Sequence, residues 1–335
     1  MMKPILRVIP VHFYVCDLTW RGFGRMKSVM KLVWRTILLW IVVLCLQAGF
    51  GAELFRVATF NLENYLLHSV GGRRAKSAQA RAAVRECIKA INADVLALQE
   101  VGGIEALEEL RQSLKADGLD YPYWELVNGY DTNVHVAVLS RFPLTMRRPH
   151  TNDTYLLGGK RFTVRRGFAD VDVKVTDTYS FTLISAHLKS RQTVPEADQA
   201  EMRLEEAIIL RRKIEERFAV NPDTNLVVLG DFNDTKDSRP IRRLIGQDRF
   251  RLIDTRPAES GPPGTNTATA PDQLRAVTWT YFYAKQDTYS RFDYILLSPG
   301  MAREWVTNQS YVLSISNWWL ASDHRPVVAT FMAKD

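Results

Sequence analysis

The sequence is poor in cysteine, and this scarcity limits the chemistry open to it. Only three of its 335 residues are cysteines. Cys16 and Cys45 lie close to the N-terminus, so Cys87 is the one cysteine of residues 53–335 and that part has no internal disulfide. One thiol also cannot supply the ligand set of a structural zinc site. Cys87 lies on a helical stripe with Val84, Ile88 and Ile91, at i, i+3, i+4 and i+7, which predicts a core residue rather than a nucleophile.

Residues 53–335, the body of the chain, also carry almost no net charge. Seven basic residues and one acidic residue fall within residues 1–52, so this segment carries +6 of the total charge of +7. Residues 53–335 are left with a net charge of +1. Bulk charge therefore gives no support for nucleic-acid binding, which would have to depend on local basic patches.

A long apolar run is missing as well. The longest, TILLWIVVLCL at residues 36–46, has the length of a signal-peptide core and is short for a membrane span. A basic stretch precedes it, and small residues follow it before Ala52. We expect residues 26–51 to be a signal peptide, with residues 1–25 an extension upstream of the better start at Met26.

Export to the periplasm or the medium follows from that signal peptide, and an export signal without disulfides is typical of a bacterial protein. The alternative is a membrane anchor formed by residues 36–46. Nothing splits residues 53–335 by composition, so we expect them to form one large domain.

Apolar, β-branched runs alternate with helical patterns along this domain, which predicts an α/β fold. Strands are predicted at residues 55–60, 95–98, 134–139, 169–175, 180–186, 226–229, 278–283, 294–297 and 327–331. Helices are predicted at residues 78–92, 104–116, 196–218 and 240–245. Residues 256–275, rich in Pro, Gly, Thr and Ser, have no periodicity and are predicted to form a long loop.

Several of these apolar runs end in a polar residue of the kind that binds metals or moves protons. Asn61, Glu100, Asp231 and the pair Asp323–His324 each lie at the end of a predicted strand or just beside one. Because a strand end lies at the rim of its sheet, these rims are expected to share one site. Oxygen ligands with few carboxylates suit Mg²⁺, and a nearby histidine favours hydrolysis, so the pattern points to metal-assisted phosphoester cleavage.

Five motifs occur in the order typical of one known family. They are ATFNLEN (58–64), DVLALQEV (94–101), SAHLKS (185–190), VVLGDFND (227–234) and SDHRPV (322–327), with RFDYILLS (291–298) between the last two. This ordered set resembles the endonuclease/exonuclease/phosphatase superfamily, which has the DNase-I-like fold. The resemblance implies a four-layer sandwich, in which two packed mixed β-sheets are flanked by helices and the catalytic rims share one edge.

The resemblance also implies roles for individual residues. Asn61, Glu100 and Asp323 would hold the metal, which we expect to be Mg²⁺, with Mn²⁺ or Ca²⁺ as alternatives. The catalytic residues would be His187, Asp231, Asn233, Asp293 and His324. An Asx turn is the alternative for the Asp231–Asn233 pair, and a salt bridge to Arg291 or Arg325 is the alternative for Asp293.

Basic side chains near these motifs are candidates for substrate contact. Lys189 and Arg191 directly follow a predicted site strand, and Arg165 is the next candidate. The cluster Arg73, Arg74 and Lys76 ranks lower, because most charge runs are solvated faces. The aromatic residues Trp279, Tyr281 and Tyr283 could stack a base, but strand alternation would place some of them in the core.

These features predict a secreted or periplasmic Mg²⁺-dependent phosphodiesterase that acts on DNA or RNA by in-line attack of water. One alternative is a phospholipid or sphingomyelin phosphodiesterase, for which the apolar cluster 318–320 would be a membrane element, although such clusters are more often core. Another is a non-catalytic binding module, against which the full acidic and histidine set argues. No obligate protein partner is evident.

Overall fold

The computed structural model describes residues 53–260 and 278–334. The strands are β1 (Leu54–Tyr65), β2 (Val95–Val101), β3 (Tyr123–Val127), β4 (His135–Ser140), β5 (Leu144–Arg147), β6 (Thr154–Leu157), β7 (Lys160–Thr163), β8 (Phe168–Lys174), β9 (Ser180–His187), β10 (Leu226–Asp231), β11 (Ile253–Asp254), β12 (Ala258–Ser260), β13 (Tyr281–Tyr283), β14 (Thr288–Ser290), β15 (Asp293–Leu297), β16 (Tyr311–Leu313) and β17 (Val327–Met332). The helices are α1 (Ala78–Ile91), α2 (Gly103–Ala116), α3 (Gln199–Val220), α4 (Arg239–Ile245) and the short α5 (Pro299–Ala302).

Most strands belong to two large mixed sheets. One has seven strands in the order β12-β16-β17-β1-β2-β4-β3, and the other has six in the order β11-β15-β10-β9-β8-β5. Two hairpins, β6–β7 and β13–β14, lie outside them. The antiparallel hairpin predicted from residues 169–175 and 180–186 is the pair β8–β9.

The two sheets pack face to face, and helices cover their outer faces. The inner cluster contains Val57 and Val95 from the first sheet with Leu183 and Val227 from the second. A second cluster joins α1 and α2 to the outer face of the first sheet, and a third joins α3 and α4 to the other outer face. This is the predicted four-layer sandwich.

Burial on both faces explains why the central strands are continuously apolar. Alternate residues of a strand point to opposite faces, so Val57 enters the inner core while its neighbour Ala58 enters the helix-covered one. Cys87 is buried in the same helix-covered cluster, as its spacing predicted, and burial raises its pKa to about 12.

Helix starts depend on capping residues that the apolar pattern does not show. The third helix begins at Gln199 rather than at the predicted residue 196, because the Asp198 carboxylate caps it by accepting hydrogen bonds from the amides of Ala200 and Glu201. The Ser77 hydroxyl caps α1 through the amide of Ala80.

The predictions were wrong or incomplete for several short elements. The strand predicted at 278–283 is limited to β13, and residues 258–260 of the predicted loop form β12, paired with β16. Residues 261–275 of that loop lie outside the described residues. So do the leader and the predicted cleavage site. In residues 53–260 and 278–334, no helix is long and apolar enough to cross a membrane.

Candidate active site

One edge of the sandwich gathers the polar strand ends. In the second sheet, Asp231 at the end of β10 pairs with His187 at the end of β9 and with Asp293 at the start of β15. In the first sheet, Asn61 pairs with Gln99, one residue before Glu100. The structure therefore brings the predicted catalytic and metal residues of both sheets to the same rim.

Gly230 makes this strand end possible. Its φ angle is +137°, and a Cβ atom at this position would lie 1.9 Å from the carbonyl oxygen of Ala186 on the neighbouring strand. Since any larger residue would force β9 and β10 apart, the glycine keeps His187 and Asp231 side by side.

Asp231 lies at the centre of the site and is close to four of its other polar side chains. Its Oδ2 atom accepts hydrogen bonds from the side-chain amides of Asn61, at 3.0 Å, and Asn233, at 3.2 Å. The same oxygen lies 3.3 Å from His187 Nε2 and 3.7 Å from His324 Nε2. The Oδ1 atom accepts from the backbone amide of Asn233, so the Asx turn considered for this pair is present and orients the carboxylate toward the other side chains.

His324 is fixed from two sides. Its Nδ1 atom lies 2.8 Å from Asp293 Oδ2, and its backbone amide donates to the Ser322 hydroxyl at 3.0 Å. That hydroxyl in turn donates to the carbonyl of Asn61, which joins the segment before β17 to β1. The salt-bridge alternative for Asp293 is wrong, because Arg291 pairs with Asp254 and Arg325 with Glu259.

The two imidazoles that flank Asp231 differ in charge. Burial lowers the pKa of His187 well below its usual value, and the charges of Arg166 and His324 add to this effect. Burial also disfavours the charged form of His324, but the charges of Asp293 and Asp231 outweigh it and raise its pKa well above the usual value. The opposite shifts favour the neutral form of His187 and the charged form of His324, an arrangement suited to separate proton roles.

The three predicted metal ligands lie next to Asp231, on the part of the rim formed by the first sheet. They are Asn61, Glu100 and Asp323. A bulge between β1 and β2 lies at Asn61 and Glu100, and Glu63, Asn64 and Glu100 have positive φ angles of 47°, 55° and 64°. Such angles are costly for residues other than glycine and cluster at functional sites. Asn64 donates its backbone amide to Glu100 Oε2, and Glu63 donates its amide to Asn61 Oδ1.

The charge of this group fits a cation. Burial raises the pKa of Asp323 to about 7; the charge of His324 opposes the shift, whereas those of Glu63 and Glu100 add to it. A divalent ion would relieve the repulsion among these carboxylates, and their hard oxygen atoms are ligands for Mg²⁺, Mn²⁺ or Ca²⁺. A second group, Asp231, Asp293 and His324, offers ligand atoms within 4.8 Å of one another and could also hold a metal ion.

The three residues predicted to contact the substrate differ in exposure and in the partners they already bind. The Lys189 residue is only 3% exposed, and its ammonium donates to the carbonyls of Ser190 and Gln192, so it is already engaged within the protein. Arg191 pairs with Asp234 at 2.7 Å, lies over the ring of Phe292 and keeps a half-exposed side chain. The backbone of Arg165 accepts a hydrogen bond from the amide of Asp131 and donates one to the Glu206 carboxylate.

Three further residues at this rim had been only low-ranked or uncommitted candidates for substrate contact. The ring of Tyr281 lies 4.6 Å from that of His324. Arg73 donates to the Asn64 side chain at 2.6 Å, and Lys76 donates to the carbonyl of Glu63 at 3.0 Å. The only sequence signal for the two basic residues was their position in a charge run.

The aromatic cluster 318–320 is a short 3₁₀ helix at the surface. Trp318 is half-buried against Trp279, with ring centroids 5.1 Å apart. Trp319 is 59% exposed and Leu320 is 39% exposed, so the expectation of a core position is wrong for both.

Comparisons with solved structures show the same fold. The catalytic domain of human nocturnin with bound sulfate is 16% identical and has a TM-score of 0.57, with 85% of this chain and 97% of that one covered. Sphingomyelinase C from Streptomyces griseocarneus is 19% identical, has a TM-score of 0.54 and is matched over 99% of its length and 83% of this chain. Truncated TDP2 from Caenorhabditis elegans is 19% identical, with a TM-score of 0.52 and coverages of 84% and 98% for this chain and that one.

At such identities the likeness concerns the fold alone. No match was found among curated protein sequences. The sequence model described as the Endonuclease/Exonuclease/phosphatase family matches residues 58–324, which include the whole rim from Asn61 to His324. The chain belongs to this family and is a hydrolase of the phosphodiesterase and nuclease type.

Proposed function

We propose that the protein is a Mg²⁺-dependent phosphodiesterase that cleaves DNA or RNA by in-line attack of water on phosphorus. The observation that carries this proposal is the position of Asp231, which lies between the imidazoles of His187 and His324 and next to Asn61 of the first sheet. Such a rim would supply a proton acceptor, proton donors and a cation site at one edge of the sandwich.

Each side chain has a task in this mechanism. Asp231 accepts a hydrogen bond from the attacking water and takes up its proton, because burial raises the pKa of this carboxyl to about 7. His324, held in place by Asp293, donates to a phosphoryl oxygen through Nε2. Asn233 and the neutral His187 donate to the remaining oxygens, and they steady the charge that grows in the transition state.

Asn61, Glu100 and Asp323 would hold the metal. A bound Mg²⁺ would supply neutralising charge for the phosphoryl oxygens. The remaining contribution of the chain is positional: the bulge at residues 62–64 and the hydrogen bond from Asn64 hold the Glu100 carboxylate in place before substrate arrives.

A nucleic-acid substrate is supported by the basic groups around the rim. Arg73 and Arg191 both keep part of their side chains exposed, and each is oriented by a protein acceptor. The body as a whole carries a net charge of +1. Binding to a polynucleotide would therefore depend on these local contacts, and its affinity would fall as salt is raised.

The test is a substrate panel. The purified protein is incubated with plasmid DNA, RNA, sphingomyelin vesicles and sugar phosphates, each with Mg²⁺ or with EDTA. We expect cleavage of a polynucleotide with Mg²⁺, none in EDTA, and loss of cleavage in His324→Ala but not in His68→Ala, which alters an exposed histidine outside the motifs. Cleavage of none of the polynucleotides would overturn the proposed substrate.

A lipid phosphodiesterase is the second candidate, and one observation favours it. The exposed Trp319 and Leu320 lie in the segment that leads to Asp323 and His324, and aromatic side chains of this kind anchor proteins at membrane interfaces. Cleavage of sphingomyelin vesicles without cleavage of DNA or RNA would move the assignment to this candidate.

The proposal includes export of the protein to the periplasm or the medium. It is supported by the basic stretch and the apolar run at residues 36–46. N-terminal sequencing of the exported protein should begin near Ala52, whereas a membrane-bound species that retains Met26 would support the anchor.

A further inference from the structure

Arg166 is a buried cation without an ion-pair partner. The residue is 5% exposed, and no carboxylate oxygen of residues 53–260 and 278–334 lies within 4.0 Å of its guanidinium nitrogens. In the same part of the chain, its one hydrogen bond runs from Nη1 to the carbonyl of Leu188, at 3.2 Å, and its buried Nε atom has no acceptor. Because an uncompensated buried charge is costly, an anion that reaches this guanidinium would be bound favourably.

Arg166 lies beside two of the proposed catalytic residues. It comes two residues before β8, and its acceptor Leu188 is the residue that follows His187 at the end of β9. The same Leu188 carbonyl accepts a hydrogen bond from the side-chain amide of Asn233, at 3.1 Å. Arg166 and Asn233 thus share one acceptor, which makes the guanidinium a neighbour of the amide that is assigned to the phosphoryl oxygens.

The charges buried where α3 packs against this side of the rim do not balance. They are Arg166, Lys189, Arg203, Glu206 and Asp234, three cations and two carboxylates. Asp234 pairs with Arg203 at 2.9 Å, and Glu206 accepts from the backbone amide of Lys189 at 2.6 Å. The Lys189 ammonium donates to two backbone carbonyls. Both carboxylates are therefore engaged elsewhere, and the positive charge of Arg166 is left over.

We propose that Arg166 binds a non-bridging oxygen of the substrate phosphate, next to Asn233. This inference rests on the phosphoester substrate of the proposed function and adds to it the arginine that binds the anion. A guanidinium matches the geometry of phosphate oxygens, and its charge acts more strongly where water is excluded. Arg165, the arginine predicted for substrate contact, is the weaker candidate because its side chain is only partly buried.

Thermal unfolding with and without inorganic phosphate tests this inference, and EDTA keeps metal ions from binding the phosphate. We expect phosphate to raise the Tm of the wild type. Arg166→Met should lose this shift. In phosphate-free buffer its Tm should equal or exceed that of the wild type, because an uncompensated charge is removed and the Leu188 carbonyl keeps Asn233 as its donor. Arg165→Met is the matched control and should keep the full shift.

Two further measurements bear on the same contact. Calorimetric titration with phosphate in EDTA should show affinity about tenfold or more weaker for Arg166→Met than for the wild type. With Mg²⁺, Arg166→Met should lower kcat/KM for a simple chromogenic phosphodiester by about a hundredfold, whereas Arg165→Met should stay close to the wild type.

Three results would overturn the inference: no phosphate shift in the wild type, an equal shift in Arg166→Met, or a clearly lower Tm of Arg166→Met in phosphate-free buffer. The wild-type shift is informative even if the variant fails to fold. A phosphate shift that depends on Arg166, together with no cleavage of any polynucleotide, would overturn the nucleic-acid substrate and leave this inference standing. Polynucleotide cleavage at the wild-type kcat/KM by Arg166→Met would overturn this inference alone.

Discussion

His324 Nδ1 and Asp293 Oδ2 lie 2.8 Å apart at a rim where both residues are buried. The carboxylate fixes the orientation of the imidazole and leaves Nε2 directed toward Asp231. A carboxylate–imidazole pair of this kind sets the tautomer and stabilises the charged ring.

Asp293→Asn should therefore lower kcat by about a hundredfold or more while changing KM little, because the amide cannot stabilise a charged imidazole. Steady-state kinetics on the preferred substrate checks this. Asp237→Asn, at an exposed carboxylate that pairs with Lys236, is the control and should retain full activity. A kcat close to that of the wild type would contradict the role given to this pair.

Asp170 should contribute to stability in a pH-dependent way. It is fully buried on β8 and accepts hydrogen bonds from Arg148 and Arg217. Burial alone would raise its pKa, but the hydrogen bonds from His150 and Arg148 and the nearby arginine charges lower it overall. A lowered pKa means that this stabilisation is present above the unfolded-state pKa and is lost as pH falls through the folded-state pKa.

Asp170→Asn should thus cost about 3–5 kcal/mol of unfolding free energy at neutral pH. The difference from the wild type should shrink below about pH 4, near the ordinary pKa of aspartate. Urea unfolding at several pH values measures both effects. Asp177→Asn, at an exposed carboxylate, should change stability little. A cost independent of pH would show that packing, and not charge, explains the loss.

Lys189 and Arg191 should respond differently to loss of charge, although the sequence grouped them. Lys189→Met leaves two carbonyls without their donor, so it should lower stability by about 1–3 kcal/mol. Arg191→Ala should leave stability nearly unchanged, raise KM for a polynucleotide and flatten its salt dependence. Thermal unfolding and KM at several salt concentrations check this. A salt slope unchanged by Arg191→Ala would remove this residue from the substrate site.

Trp319→Ala separates the two substrate classes. With a nucleic-acid substrate, the variant should keep the KM and the melting temperature of the wild type, because the side chain is 59% exposed. With a lipid substrate, binding to sphingomyelin vesicles should fall by about tenfold or more. Vesicle co-sedimentation, with Tyr130→Ala as the control at another exposed aromatic residue, distinguishes the two outcomes.

Much of the fold and rim could be predicted because the central strands are buried on both faces. Such strands are continuous apolar runs, and a polar residue at the end of one, such as Glu100 or Asp231, is conspicuous. The short strands were missed because three or four half-buried residues have no clear period. The hairpin β6–β7 was missed as well, although Gly158–Gly159 between its strands, both with positive φ, was a usable turn signal.

Contacts between distant segments were the part that could not be predicted. Tyr281 lies beside His324 because of a backbone bridge between them, and Lys76 reaches Glu63 through a loop whose shape is set by Gly71 and its neighbours. Sequence shows that Lys76 and Lys189 are basic but not which of them is near the carboxylates. In the same way, the apolar character of Trp319 does not reveal that it faces solvent.

The most direct test of the central claim is the hydrolysis of a simple chromogenic phosphodiester by the wild type and by Glu100→Gln. Such a substrate reports the chemistry without the binding contacts of a polynucleotide or a lipid. We predict activity with Mg²⁺, none in EDTA, recovery when Mg²⁺ is restored, and a loss of about a hundredfold or more in Glu100→Gln. Full activity in EDTA, or equal activity of Glu100→Gln and the wild type, would contradict metal-assisted phosphodiester cleavage at this rim.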